Sequence, residues 1–299
     1  MAILSKQFGL IFVQSFKELK RNNPLRLAGA TAFFATFALP PLFIILLQLF
    51  GLIGNKEQLK NELFHSLSHT IGKEGTMQIQ TVVHGMASLA INAYAAVGGF
   101  LFLLFVVTTL FKVIKDSINE LWEIKIQENS GVKPQLFSRL KSLVAIAFAG
   151  LLFFVSLFFD GLQVFIGHYM QNYFGMAAGI LVLIIGKSFS LLIMTVWFSL
   201  LFRLLTDAVP VWKVAITGGF VTGILFNIGI VILRSALPYK DLTSVFGAAG
   251  SFVLILLFLF YSSFILYYGA CFTKMYSIYS NKIIKPREYA FAYEVTEKT

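Results

Sequence analysis

Two charged residues stand where the surrounding sequence is otherwise almost free of charge. Asp160 lies inside the apolar run 142–166, and Lys187 lies inside the run 176–202. A charge in an apolar medium costs at least a few kcal/mol unless it meets a partner, so such residues face one another or a polar path. The two runs are consecutive and joined by the short stretch 168–175, which makes them antiparallel neighbours if both are helical. At a rise of about 1.5 Å per residue the two charges differ in depth by roughly one turn, an offset that a lysine stem bridges. An Asp160–Lys187 ion pair is therefore expected. Ser156 and Gln163 flank the aspartate, and Ser190 lies one turn from the lysine. Further along, Gly219, Gly223, Asn227 and Arg234 fall along one helical side. Such groups either fix a helix bundle through interhelical bonds or line a path for a solute or a lipid headgroup.

Other chemistry is thin. His65 and His69 are four apart and could face one metal with Glu62 a turn earlier, but no third ligand sits at a supporting spacing, so no metal site is expected. Asp116, Glu120, Glu123 and Glu128 are interleaved with lysines, a spacing that suits surface ion pairs. The chain has no Walker loop, no dinucleotide fingerprint, no HExxH helix and no GxSxG elbow. Its single cysteine, Cys271, allows neither an internal disulfide nor a cysteine metal cluster. No catalytic residue and no cofactor are assigned, and an enzyme is not expected.

The elements that must position these residues follow from composition. The 299 residues are 58% hydrophobic and 13% charged, with 33 Phe, and the mean hydropathy is +0.80. A soluble domain carries about a quarter charged residues, so this surplus of apolar surface excludes an ordinary water-soluble core, a disordered chain and a disulfide scaffold. Spanning about 30 Å of hydrocarbon takes about 20 apolar residues in a helix. Six stretches qualify: 27–53, 87–111, 142–166, 176–202, 214–233 and 248–272. The predicted fold class is all-α, a polytopic membrane bundle forming a single domain over residues 1–299.

Charge then orients the bundle. Eighteen of the 24 lysines and arginines fall on one side of these spans, five on the other, and Lys187 within one. By the positive-inside rule both termini are cytoplasmic, and Trp122, Trp197 and Trp212 fall at the same boundary. The formal charge of +10 is thus mostly topology and attraction to anionic lipid, and nucleic acid is not an expected partner. Residues 1–26 do not read as a cleavable signal peptide; Phe8, Ile11, Phe12, Phe16 and Leu19 recur at helical spacing, which predicts a cytoplasmic interfacial helix broken by Asn22, Asn23 and Pro24. Residues 54–86 form an outer segment with Leu59, Leu63 and Leu67 on one helical face. The cytoplasmic connection 112–141 is expected to continue the second helix and break at Asn129, Ser130, Gly131 and Pro134, and 273–299 is a cytoplasmic tail. Pro40-Pro41 should kink the first span and could serve as a hinge. Gly219 and Gly223 have the small-xxx-small spacing of close helix packing.

Several stretches together resemble one family. Arg26-Leu27-Ala28-Gly29-Ala30-Thr31-Ala32-Phe33-Phe34 followed by Leu39-Pro40-Pro41-Leu42 is similar to the opening of the YihY/BrkB family. Ile118-Asn119-Glu120-Leu121-Trp122 resembles its Asn-x-x-Trp signature. Phe202-Arg203 through Val209-Pro210, Gly218-Gly219, Phe246-Gly247-Ala248-Ala249-Gly250 and Tyr268-Gly269-Ala270 are similar to its C-terminal half. The resemblance covers essentially the whole chain. It implies a six-span bacterial inner-membrane protein of a family linked to serum resistance, suggested as transporters and formerly labelled ribonuclease BN. The sequence departs from the family pattern at Cys271, where many members carry an acidic residue, and at Asn227, where some do.

The expectation is a transporter or flippase-like protein for a lipid or amphipathic solute, with a pathway near Asp160, Gln163, Lys187, Ser190, Asn227 and Arg234. The alternative is a structural or assembly membrane protein, and a membrane ribonuclease is the least favoured. Membrane lipids are the expected partners, with a homo-oligomer left open.

Overall fold

A computed structural model describes residues 2–53, 93–127, 184–236 and 249–293, with individual positions between 60 and 83 and between 144 and 155. Helix α1 runs Ala2–Arg21 and ends in Lys20 and Arg21, cations that suit the negative end of a helix dipole. Asn23 takes a left-handed conformation at φ 50°, and Pro24 opens the next helix, so the asparagine-proline break reverses the chain where the sequence places it. Helix α2 then runs Pro24–Ile53, and α3 runs Ala93–Leu121. Helix α4 covers Ile184–Leu205, its last five residues wound as a π-helix. Helices α5, Trp212–Ala236, and α6, Ala249–Tyr279, complete the set. Among the described residues, Ile184–Leu205, Trp212–Leu233 and Phe252–Tyr279 are long and apolar enough to cross a membrane.

Helix α6 is the hub. It packs against α2, α5 and α1, while α2 also packs against α3. The buried core collects Leu27 of α2, Phe111 and Ile118 of α3, Phe198 and Phe202 of α4, and Tyr267 and Cys271 of α6. Helix α1 is tied to this body rather than merely resting on a surface. Its Ile11 is buried against Phe272, the Phe12 and Phe272 rings lie 5.0 Å apart, and Tyr268 donates to the Phe12 carbonyl at 3.1 Å. Its opposite face exposes Leu10, Val13 and Phe16.

Outward, every long helix shows large apolar side chains: Phe33 and Phe37 on α2, Phe102 and Phe105 on α3, Ile185 and Leu192 on α4, Val231 and Ile232 on α5, Phe252 on α6. In water such a continuous apolar exterior is unfavourable; in hydrocarbon it is the matching surface.

The sequence predicts that the second helix continues towards Asn129, but α3 stops at Leu121. Glu123 adopts φ 57° and turns the chain into strand β1, Ile124–Ile126. A non-glycine residue at that angle is uncommon, and here the strand it feeds is paired. Strand β2 is Ala208–Val209, β3 is Lys285–Pro286 and β4 is Ala290–Ala292. Beyond the turn at Asn281 the tail lays β3 antiparallel to β2 and β4 antiparallel to β1, with Lys125 opposite Phe291 and Ala208 opposite Pro286. These short ladders lace the tail to the ends of α3 and α4, on the face of the bundle where α1 also lies.

Candidate functional site

The most buried charges in the described structure meet at this laced end. The Lys115 ammonium lies 2.9 Å from the Asp207 carboxylate, with side-chain exposures of 2% and 1%. Two elements bring them together. Lys115 projects from the last turns of α3, and Asp207 sits in the bend between the π-turn of α4 and strand β2. A π-helix inserts one residue into a turn, and such turns recur at functional positions.

Asp207 is gripped on several sides. Asn119 donates its amide to the carboxylate at 2.8 Å and accepts the Asp207 backbone N–H at 3.0 Å, so one side chain satisfies both backbone and carboxylate. The Tyr289 hydroxyl donates to the other carboxylate oxygen at 3.0 Å. Arg287 donates its backbone N–H to the Asp207 carbonyl at 3.0 Å, and its guanidinium reaches the carbonyls of Thr206 and Arg203 at 3.2 and 3.3 Å. The freed carbonyls at the end of α4 thus find donors in the tail. Arg203 donates in turn to the Pro210 carbonyl and lies 4.5 Å from the centre of the Trp212 ring.

A ring of further contacts surrounds the pair. The Trp122 indole donates to the Ala270 carbonyl at 2.9 Å, joining the end of α3 to α6. Thr31 and Tyr267 share a buried hydroxyl–hydroxyl bond, and Arg26 pairs with Glu120. Lys274 holds Glu18 at 2.6 Å and Glu123 at 3.4 Å, linking α6 to α1 and to the turn after α3.

Beside the buried pair lies an open recess of about 480 Å³. Asp116, Asn119 and Glu120 of α3 form one wall, and Ile124, Lys125 and Ile126 of β1 with Tyr293 beyond β4 form another. Asp116 is half-exposed and lies 3.6 Å from Lys115. Partial burial against the helix ends raises its carboxyl above the ordinary value, with Lys115 and Lys112 pulling the other way. Burial likewise raises the Tyr289 phenol, and the neighbouring Asp207 charge, to which it donates, adds to the shift. Burial and the charges of Glu120 and Glu123 raise that of Tyr293. Both phenols therefore remain protonated donors at neutral pH.

The residues singled out by sequence lie elsewhere. Asp160 and Gln163 fall outside the described residues. Lys187 is on α4 with an exposed side chain, and Ser190 one turn on is half-buried. Asn227 folds back on α5, donating to the Gly223 carbonyl at 2.9 Å. Arg234 is in α5, and α2 continues through Pro40 and Pro41 to Ile53. Gly219 and Gly223 face α4: a Cβ on Gly219 would meet the Thr195 carbonyl at 2.7 Å, and one on Gly223 would touch Met194 at 3.3 Å. His65 is exposed and lines a second, outlying cavity of about 310 Å³ with Asn61, Ser68 and Gln80; His69 and Glu62 fall outside the described residues. Among the described residues no group of three or more His, Cys, Asp or Glu could hold a metal.

Residue type and spacing alone do not mark Asp207, and Lys115 reads from the sequence as one of the cations that orient the bundle. The signal that could have found them was the family-like stretches themselves. Asn119 and Trp122 of the Asn-x-x-Trp motif, Arg203 and Pro210, Thr31, and Ala270 all contribute side chains or carbonyls to this one end. Comparison with curated proteins and with solved structures found no match. The family model described as virulence factor BrkB matches residues 15–289, a range that holds every one of these motifs. A multi-pass helical membrane protein several of whose family-like motifs meet around one buried ion pair, the chain belongs to the virulence factor BrkB family.

Proposed function

We propose that the protein is a six-span inner-membrane protein with both termini cytoplasmic, and that it moves a lipid or amphipathic solute between leaflets or across the bilayer. In this reading the Lys115–Asp207 cluster closes the cytoplasmic end. Asp160, Gln163, Lys187, Ser190, Asn227 and Arg234 continue the polar route deeper, and Pro40-Pro41 is the hinge. No catalytic step and no cofactor are assigned.

One observation carries the reading: an ion pair almost wholly removed from solvent adjoins an open recess with charged side chains in its lining. For stability alone, apolar side chains of similar volume do as well as a buried ion pair or better. A charge pair instead supplies two discrete arrangements, made and broken, which is what a closure needs. The apolar exterior of the helices supports the membrane setting, and the basic bias of α1 and the tail supports the orientation.

The test is reconstitution into liposomes carrying a fluorescent phospholipid, with dithionite added outside to bleach the outer leaflet. Bleaching beyond the outer leaflet that exceeds protein-free vesicles, and that changes in Lys115→Met, supports transport. Bleaching equal to empty vesicles for every lipid and solute tried refutes it in favour of the structural or assembly role. Reporter fusions at each terminus check the orientation, with cytoplasmic signals expected from both. RNA cleavage that disappears on purification dismisses the ribonuclease reading.

A further inference from the structure

The recess beside the buried pair has walls of opposite charge. On one, Asp116 and Glu120 stand one helical turn apart on the same face of α3, Glu120 sharing its carboxylate with Arg26 and Asp116 half-exposed. On the other, Lys125 extends from β1 towards Tyr293. An occupant that matches both walls carries a cation at one end and an anion at the other.

The chemistry of each wall narrows the choice. Carboxylates bind best to a cation that donates hydrogen bonds, so the α3 wall favours a primary ammonium, with its three N–H donors, over a quaternary one. A quaternary ammonium is recognised instead by aromatic faces. The aromatic ring in this recess is already engaged, because the Lys125 ammonium lies 4.6 Å from the centre of the Tyr293 ring. The Lys125 charge remains available to an anion such as a phosphate, which takes a lysine as a point charge. Position agrees with chemistry. Asp116 lies five residues beyond the predicted second span, about 7 Å along the helix, which is headgroup depth.

We propose that this recess binds a phosphoethanolamine group, its ammonium on Asp116 and its phosphate on Lys125. The proposal deepens the transport reading by naming the headgroup class. It stands separately, since binding can be measured whether or not anything is moved.

The experiment is calorimetric titration of the full-length protein in detergent with dihexanoyl phosphatidylethanolamine, with its phosphatidylcholine counterpart, and with soluble glycerophosphoethanolamine. The ethanolamine lipid should bind at least about tenfold more tightly than the choline lipid. Asp116→Asn should remove that preference by weakening the ethanolamine lipid alone. Lys125→Gln should weaken both lipids alike, because both carry the phosphate. Binding of glycerophosphoethanolamine as well would identify a soluble source of the group, and binding of the lipid alone would identify the bilayer as its source; either supports the site. Equal affinity for the two lipids, or a preference that survives Asp116→Asn, overturns it. Unfolding temperatures of both variants, measured alongside, separate lost binding from lost fold. Absence of lipid movement in liposomes with this preference intact sinks the transport reading and leaves the site standing.

Discussion

Replacing Lys115 by methionine keeps the length of the side chain and removes its charge. Asp207 is then left 1% exposed with its ionic partner gone, holding bonds from Asn119 and Tyr289. Breaking a buried pair from one side costs about 3–5 kcal/mol, because the remaining charge stays desolvated without its counter-charge. For a chain of this size that loss lowers the unfolding temperature on the order of 10 °C. The protein supplies its own reporter, since Cys271 is the one cysteine and is 0% exposed in the core next to the cluster. A thiol-reactive dye is therefore silent until this end of the bundle opens. The double variant Lys115→Met, Asp207→Asn removes both charges and should recover more than half of the loss, the mark of coupled neighbours. A Lys115→Met protein that unfolds within about 2 °C of the parent, or single losses that simply add in the double variant, would refute the argument that the pair is desolvated and coupled.

Other substitutions probe other joints with the same dye. Gly219→Ala places a methyl against the Thr195 carbonyl and the Ser199 amide and should cost about 1–3 kcal/mol, whereas Gly29→Ala meets nothing within 4 Å and should be neutral or better. Trp122→Phe loses the indole bond to Ala270 in a buried position and should cost about 1–3 kcal/mol, seen as a lower unfolding temperature. Asp116 has a carboxyl raised above its unfolded value, so its charged form is less favourable in the folded protein at pH values above the shifted pKa, and that penalty vanishes below about 4, the unfolded carboxylate range. Asp116→Asn should therefore be at least as stable as the parent at pH 7, with any gain disappearing as the pH falls below about 4. For Tyr289 the folded pKa lies above its unfolded value, so stability falls as the pH rises through about 10 and beyond. Tyr289→Phe should flatten that alkaline decline, measured as unfolding temperature against pH.

Much of the bundle was readable from residue type. Long apolar runs announced α2, α3, α5 and α6 because only a helix hides its backbone from lipid over that length. Asn23 and Pro24 announced the break after α1 because their backbone preferences allow little else. The laced end was not readable. Strands β1 to β4 are two or three residues each, too short for any alternation to show, and they exist because distant segments meet. The buried pair was hidden for a related reason. Lys115 lies in a run of mixed charge beyond the predicted span, where position alone says solvent, and Asp207 lies 92 residues later in a bend. Only the fold removes both from water. In the sequence the conspicuous charges are those within the apolar runs, Asp160 and Lys187.

The lacing of the tail also bears on how the molecule is completed. A polytopic chain enters the bilayer from its first helix onward, and the partners of β3 and β4 are made long before those strands emerge. Until then the bend at Asp207 lacks Tyr289 and Arg287, and the Trp122 indole lacks its acceptor on α6. The knot is therefore tied only once residues 285–292 have been made. A chain cut short by a premature stop before residue 285 leaves that knot undone, exposing polar backbone and a half-clothed carboxylate to the quality-control proteases that patrol the membrane.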